Sequence, residues 1–340
     1  MVDFSRIPVI DVSAIYTDDR DAQLRLAEAF YSAYSGAGFS YIVNHQVSEE
    51  LIAQVFAASQ RFHELPIATK MAVELNHLHR GYIPINTSTD VNSRFADVKH
   101  PNQSESFMVM REDAPDSPSV QAGHYLAGPN QWPELAGFRE AVMAYNTAMM
   151  SLAQKLIGII ALSLNADAAF TQSFDQATTW LRLLYYPATP GATNLRDLES
   201  RGVYGSAPHT DFGCLTLLAQ DAVGGLQVQT PEKRWIDVPR LPGSFVVNAG
   251  DMLQRWSNGL LKSTPHRVIN TSGQARYSCP FFFDPNVTTL VEPLASCISA
   301  ETPVAYDSIN FDEFLRGELT AGYQRHAEEV PGGPSARERR

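Results

Sequence analysis

The chain has 340 residues, 44% of them hydrophobic and 19% charged, an ordinary globular composition with enough apolar surface for a substantial core. A formal net charge of −11 excludes the basic footprint of a nucleic-acid binder, and no apolar run approaches the length of a membrane span. Three scattered cysteines (Cys214, Cys279, Cys297) and an N-terminus without the regions of a signal peptide point to a reduced, cytoplasmic protein. It is expected to be a monomer or weak homo-oligomer that binds a small molecule, with no nucleic-acid or membrane partner.

In chain order, residues 7–16 read as a short strand. Residues 19–36 carry Leu24, Leu26, Ala27, Phe30, Tyr31 and Tyr34 at helical spacing, with Gly36 and Gly38 as a stop. FSYIVNH (39–45) is a compact β-rich run, and 48–66 a helix that Ser48 caps and Pro66 closes. Residues 76–133 are rich in turn formers, the composition of a long lid or binding loop. A long apolar-periodic helix follows at 134–166. From Trp180 onward short β-rich runs alternate with Gly, Pro and Asn signals, which suggests a sandwich, jelly roll or barrel. Asn258-Gly259 reads as a hairpin turn between MLQRWS and LLKSTPHRV.

Within that series, PHTDFGCLTLLAQD (208–221) sets a His and an Asp two apart at the start of an apolar run. In a strand, i and i+2 share a face, so His209 and Asp211 would point the same way while Thr210 points away. His266, in the run after Asn258-Gly259, is the best third member. Two imidazoles and one carboxylate on one face leave adjacent coordination positions open, as in the non-haem Fe(II) oxygenases. Ten residues beyond His266, Arg276 and Ser278 again stand at i and i+2, on a strand expected to pair near His266. A guanidinium facing inward there needs an anion. No internal acid is suitably placed, so a dicarboxylate reaching from the metal to Arg276 fits.

These residues, with IPVIDVS, GFSYIVNH, LRLLYYPA, PGSFVVNAGDMLQRWSNGLLKSTPHRVIN and RYSCPFFFDPN, resemble the 2-oxoglutarate- and Fe(II)-dependent dioxygenases of the isopenicillin N synthase-like superfamily. LRLLYYP is similar to the form in thymine 7-hydroxylases, and AQDAVGGLQV and STPH to the ethylene-forming enzymes. The resemblance implies a mainly β fold with flanking α, a double-stranded β-helix (jelly roll) buttressed by helices. It implies an N-terminal region with helices and a substrate loop (1–120), a buttressing helix (121–175), the jelly-roll core (176–290) and a C-terminal strand and helix (291–327). The tail 328–340 has a disordered composition.

By resemblance, His209, Asp211 and His266 are the iron ligands. Arg276 and Ser278 hold the distal carboxylate of 2-oxoglutarate, assisted by the Tyr186 hydroxyl. Leu184 stands where many plant members have Asn. The implied reaction uses Fe(II), 2-oxoglutarate and O₂ to hydroxylate a small molecule, releasing succinate and CO₂. Phe212, Phe282, Arg182 and Tyr82 are candidate substrate contacts, suited to a flat, polar-edged molecule, whereas Trp256 and Tyr185 read as structural. Three other readings stay open: an oxidase of the same fold that uses no 2-oxoglutarate, an ethylene-forming enzyme, and a non-catalytic metal-binding jelly roll.

Overall fold

The computed structural model describes residues 7–88, 95, 98, 100–188 and 194–322; the tail 328–340 and His326 lie outside them. Two helices near the N-terminus follow the expected pattern. Asp19 caps α1 (Arg20–Gly36) by accepting the Ala22 N–H at 3.0 Å, and Ser48 caps α2 (Glu49–His63) through the Leu51 N–H at 3.2 Å. Their buried residues recur every three or four positions, for instance Leu26, Phe30, Ala33 and Tyr34 in α1. The remaining helices are α3 (Ile67–Met71), α4 (Pro118–Gln121), the long α5 (Phe138–Ser163), α6 (Ala168–Gln172), α7 (Leu195–Arg201), α8 (Asp251–Trp256) and α9 (Phe311–Gly322).

The strands are β1 (Val9–Asp11), β2 (Phe39–Val43), β3 (Gly81–Ile83), β4 (Glu105–Met110), β5 (Thr178–Tyr186), β6 (Ser206–His209) and β7 (Leu215–Gln220), then β8 (Leu226–Gln229), β9 (Trp235–Asp237), β10 (Ser244–Ala249), β11 (His266–Val268), β12 (Arg276–Asp284), β13 (Leu290–Val291) and β14 (Ile309–Asn310). An eight-stranded sheet runs β1-β2-β10-β7-β12-β5-β4-β3, and a four-stranded sheet runs β6-β11-β8-β9. In the large sheet only the β1–β2 pairing is parallel among the described strands.

Strand periodicity gives the large sheet two different faces. Helices α2 and α5 pack on the outer one: Phe62 meets Phe107, and His63 stacks on Tyr185. The inner face carries Arg276, Ser278, Pro280 and Phe282 of β12 opposite Tyr186, Leu184, Arg182 and Trp180 of β5. It packs on the small sheet through a cluster that joins Phe39, Tyr41, Leu184 and Val246 to Leu226, Val228 and Val268. The site lies between the sheets.

Several expectations change. The strand at 7–16 shortens to β1, and Ser13–Tyr16 form a 3-10 turn. The long loop at 76–133 contains β3 and β4, and all six residues of β4 are buried as it extends the large sheet. Asn258-Gly259 is not a hairpin. Both residues have positive φ (51° and 81°), which a type I′ turn requires, but here they end α8, with the Asn258 and Gly259 N–H groups donating to the Arg255 and Gln254 carbonyls. Nor does β12 pair beside His266, since it joins β5 and β7 in the other sheet.

His63 makes the helix–sheet interface pH-sensitive. Burial lowers its pKa to about 4, outweighing the opposing Ser59 carbonyl contact and Glu105 charge. A depressed histidine contributes stability that is present above its unfolded pKa near 6.5 and is lost as pH falls through 4. The melting temperature is expected to drop over pH 6.5 to 4, and His63→Phe should flatten that drop. The slope removed is up to about 1.4 kcal/mol per pH unit; parallel curves for the two proteins would contradict this origin.

Candidate active site

Strands β6 and β11 are antiparallel neighbours, and their register sets His209 directly opposite His266, with ring centroids 4.4 Å apart. Asp211 joins them from outside the strand. Strand β6 ends at His209, and residues 210–214 form the turn that carries the chain across to β7 in the other sheet. The shared face expected from strand periodicity is therefore made by a turn. Asp211 Oδ1 stands 3.6 Å from His209 Nε2 and 3.5 Å from His266 Nε2. Among the described residues, this is the one group of three His, Cys, Asp or Glu side chains whose ligand atoms converge within 4.8 Å.

Each ligand atom is aimed by a bond on its far side. His209 Nδ1 donates to the Ala207 carbonyl at 2.7 Å, and His266 Nδ1 to the Thr264 carbonyl at 3.2 Å. A carbonyl can only accept, so Nδ1 carries a proton in each ring and Nε2 is the atom that faces Asp211. Asp211 Oδ2 accepts from Thr216 Oγ1 at 2.5 Å and from Asn248 Nδ2 at 2.7 Å, leaving Oδ1 for the imidazoles. Burial alone would raise the Asp211 carboxyl, but the facing His266 and His209 outweigh it and hold it well below the usual carboxylate range. Once a bound ion displaces the Nε2 protons, two neutral imidazole nitrogens and one ionised carboxylate oxygen are the donor set of a non-haem Fe(II) site, and the residues fit that ion.

Arg276 is 1% exposed. Its Nε donates to the Gly224 carbonyl at 2.7 Å, Nη1 to Ser278 Oγ at 3.1 Å and Nη2 to Gln220 Oε1 at 3.3 Å. The guanidinium lies over the Tyr186 ring, 4.7 Å from its centroid. Every one of these partners is neutral, and among the described residues no carboxylate lies within ion-pair distance of Arg276. A buried charge compensated only by dipoles is costly without an anion, and the fork fits a ligand carboxylate.

The four substrate candidates separate. Arg182 and Phe282 lie on the inner face, both partly buried, with Arg182 Nε donating to Ser106 Oγ at 2.8 Å. Phe212, also partly buried, sits on the turn after Asp211. Tyr82 belongs elsewhere. It is fully buried in β3 opposite Phe107, on the helix-covered face, and donates to Glu105, which also receives Lys70 Nζ at 2.9 Å. The segment expected to be a loop is a strand at this point, which turns the ring into the core. Trp256 packs against Phe170 and Phe174.

Thr216, Asn248 and Gln220 do not stand out in the sequence. Their only signal is that each is a polar side chain at an inward position of an otherwise apolar strand. Asn248→Ala and Thr216→Val should each weaken Fe(II) or Mn(II) binding by about 10–100-fold while leaving the fold intact. Metal titration monitored alongside circular dichroism checks this, and unchanged affinity in both variants would contradict the orienting role of these two bonds.

The 2OG-Fe(II) oxygenase superfamily model matches residues 177–285, and the N-terminal model of the non-haem dioxygenases in morphine synthesis matches residues 7–135. The 2-oxoglutarate-Fe(II) type oxidoreductase hxnY of Emericella nidulans is 36% identical over 330 residues, covering 94% of this chain and 90% of its own. The thymine 7-hydroxylase of Neurospora crassa, solved with α-ketoglutarate and thymine, superposes with a TM-score of 0.81 at 31% identity over 95% of this chain and 99% of that one. The rice dioxygenase for auxin oxidation gives 0.72 at 28% identity, covering 94% and 96%. The two opposed sheets are thus the double-stranded β-helix of these enzymes. The chain belongs to the 2-oxoglutarate- and Fe(II)-dependent oxygenases, enzymes that oxidise small molecules with O₂.

Proposed function

We propose that this chain hydroxylates a small, flat, polar-edged molecule, with His209, Asp211 and His266 as the iron ligands and Arg276, Ser278 and Tyr186 as the grip on 2-oxoglutarate. The observation that carries this reading is the pairing of two features between the sheets: three converging ligand atoms, and a buried arginine that meets only neutral groups. Iron, 2-oxoglutarate and O₂ supply the oxidation when bound, the cosubstrate being split to succinate and CO₂ as a substrate C–H bond is hydroxylated.

The chain's own residues bind and orient. Ala207 and Thr264 carbonyls keep both imidazoles in the tautomer that presents Nε2, and Thr216 and Asn248 fix the carboxylate. Arg276 accepts a carboxylate at the far end through its fork, with Ser278 Oγ beside it and the Tyr186 ring beneath it. Phe212 and Phe282 offer ring faces to a substrate, and Arg182 offers donors to its polar edge. Thymine, the ligand solved in the Neurospora crassa protein, has that shape and chemistry. The jelly roll at 176–290 forms the catalytic core. Three free, buried cysteines suit a cytoplasmic setting, where the chain acts as a monomer or weak homo-oligomer. Among the described residues, no helix is long and apolar enough to cross a membrane.

Succinate release in a screen of small heterocycles and acids, with Fe(II) and 2-oxoglutarate supplied, tests the activity. Arg276→Gln should raise the half-saturating 2-oxoglutarate concentration at least about 30-fold, the loss expected when one partner of a buried charge pair is removed. Its Mn(II) affinity should stay unchanged. Equal 2-oxoglutarate dependence in the variant and the parent would overturn the Arg276 assignment.

A further inference from the structure

The turn that delivers Asp211 is held from two sides. At one side, the first residues of α8 and its cap bond three of its carbonyls: Asp251 N–H to Asp211 O at 2.8 Å, Met252 N–H to Gly213 O at 2.9 Å and Gly250 N–H to Cys214 O at 2.8 Å. The approach is close, and a Cβ on Gly250 would stand 2.3 Å from the Gly213 carbonyl oxygen and 2.9 Å from that of Asp211. At the other side stands Asp284, the last residue of β12. Its Oδ1 accepts the Cys214 backbone N–H at 2.7 Å, and its Oδ2 accepts the Trp180 indole N–H at 3.0 Å. A Cβ on Gly213 would lie 2.0 Å from Asp284 Oδ1.

Asp284 is an expensive residue to keep. It is 1% exposed, and among the described residues no cation pairs with it. Burial pushes its carboxyl up to about 7 against the help of its two donors. A buried carboxylate with no counter-charge costs stability, and such a departure from ordinary core chemistry belongs at sites under functional constraint. The two donors it holds are informative: one is the backbone of the turn, and the other is anchored in β5, so the carboxylate ties the turn to the large sheet.

We propose that Asp284 is a positioning residue of the metal centre, locking Gly213 and Cys214 so that the turn presents Asp211 in register with His209 and His266. The proposal rests on the metal reading above, and its test separates the two. Mn(II) affinity is measured by the free-ion signal in titrations of the parent, Asp284→Ala, Asp284→Asn, Gly213→Ala and the Gly213→Ala/Asp284→Ala double variant, alongside melting temperature. The parent should bind one Mn(II), and His209→Ala should not; if the parent binds none, it is the metal reading that fails.

Asp284→Ala and Gly213→Ala should each weaken binding about tenfold or more. Asp284→Asn, which keeps one acceptor, should fall between the parent and Asp284→Ala. Should the alanine variant not fold, Asp284→Asn still carries the test with a loss of at least threefold. The double variant should bind no worse than the weaker single one, because removing the carboxylate makes room for the new methyl, and contacting sites are non-additive. Variants that melt lower yet bind Mn(II) as tightly as the parent would show that Asp284 only stabilises the fold and would overturn the proposal, as would strictly additive losses.

Discussion

A carboxylate taken out of water must be met by charge or by donors, and Asp211 is met by both. Two imidazole edges face one oxygen, and the Thr216 and Asn248 side chains hold the other. Satisfying that single group requires the two sheets to be brought together. His209 and His266 come from paired strands of the small sheet, while Thr216 and Asn248 come from adjacent strands of the large one. Asp211 sits on the turn that passes between them, and any slip of one sheet against the other would break its contacts. The geometry of the candidate site and the packing of the two sheets are therefore one constraint.

Arg276 states the same principle with the sign reversed. Its positive charge lies in a buried place, its donors are turned toward a carbonyl, a hydroxyl and an amide, and its flat face is shielded by Tyr186. Gln220 and Gly224 order the fork without neutralising it. Such an arginine is poised for a ligand that brings its own negative charge, whereas Lys70 on the helix-covered face already has Glu105 as its partner. Lys70 thus has its counter-charge within the fold, and Arg276 meets only neutral partners.

The candidate site is legible in sequence because it rests on a few side chains at fixed short spacings. H-x-D, R-x-S and the lone His266 each stand out as polar residues in runs that otherwise bury apolar ones. The path of the chain was less legible. Asn258-Gly259 has the positive-φ residues that both a hairpin and a helix end require; here Asp251–Trp256 form a helix, and the Asn258 and Gly259 N–H groups close its end on the Arg255 and Gln254 carbonyls. Tyr82 lies in the core and not at the site because turn formers on both sides flank a three-residue strand whose neighbour, β4, lies far along the chain. Thr216, Asn248 and Asp284 act through partners that are distant in sequence, and such long-range contacts leave no local pattern to read.

The most direct test of the account is an anaerobic titration of the protein with Fe(II) and 2-oxoglutarate, followed by visible absorption. If His209, Asp211 and His266 hold the metal and leave room for the cosubstrate to chelate it, a weak charge-transfer band should grow to one equivalent of iron per chain and require both additions. His209→Ala should abolish it. A band that persists in His209→Ala, or that never appears in the parent protein, would contradict the central claim.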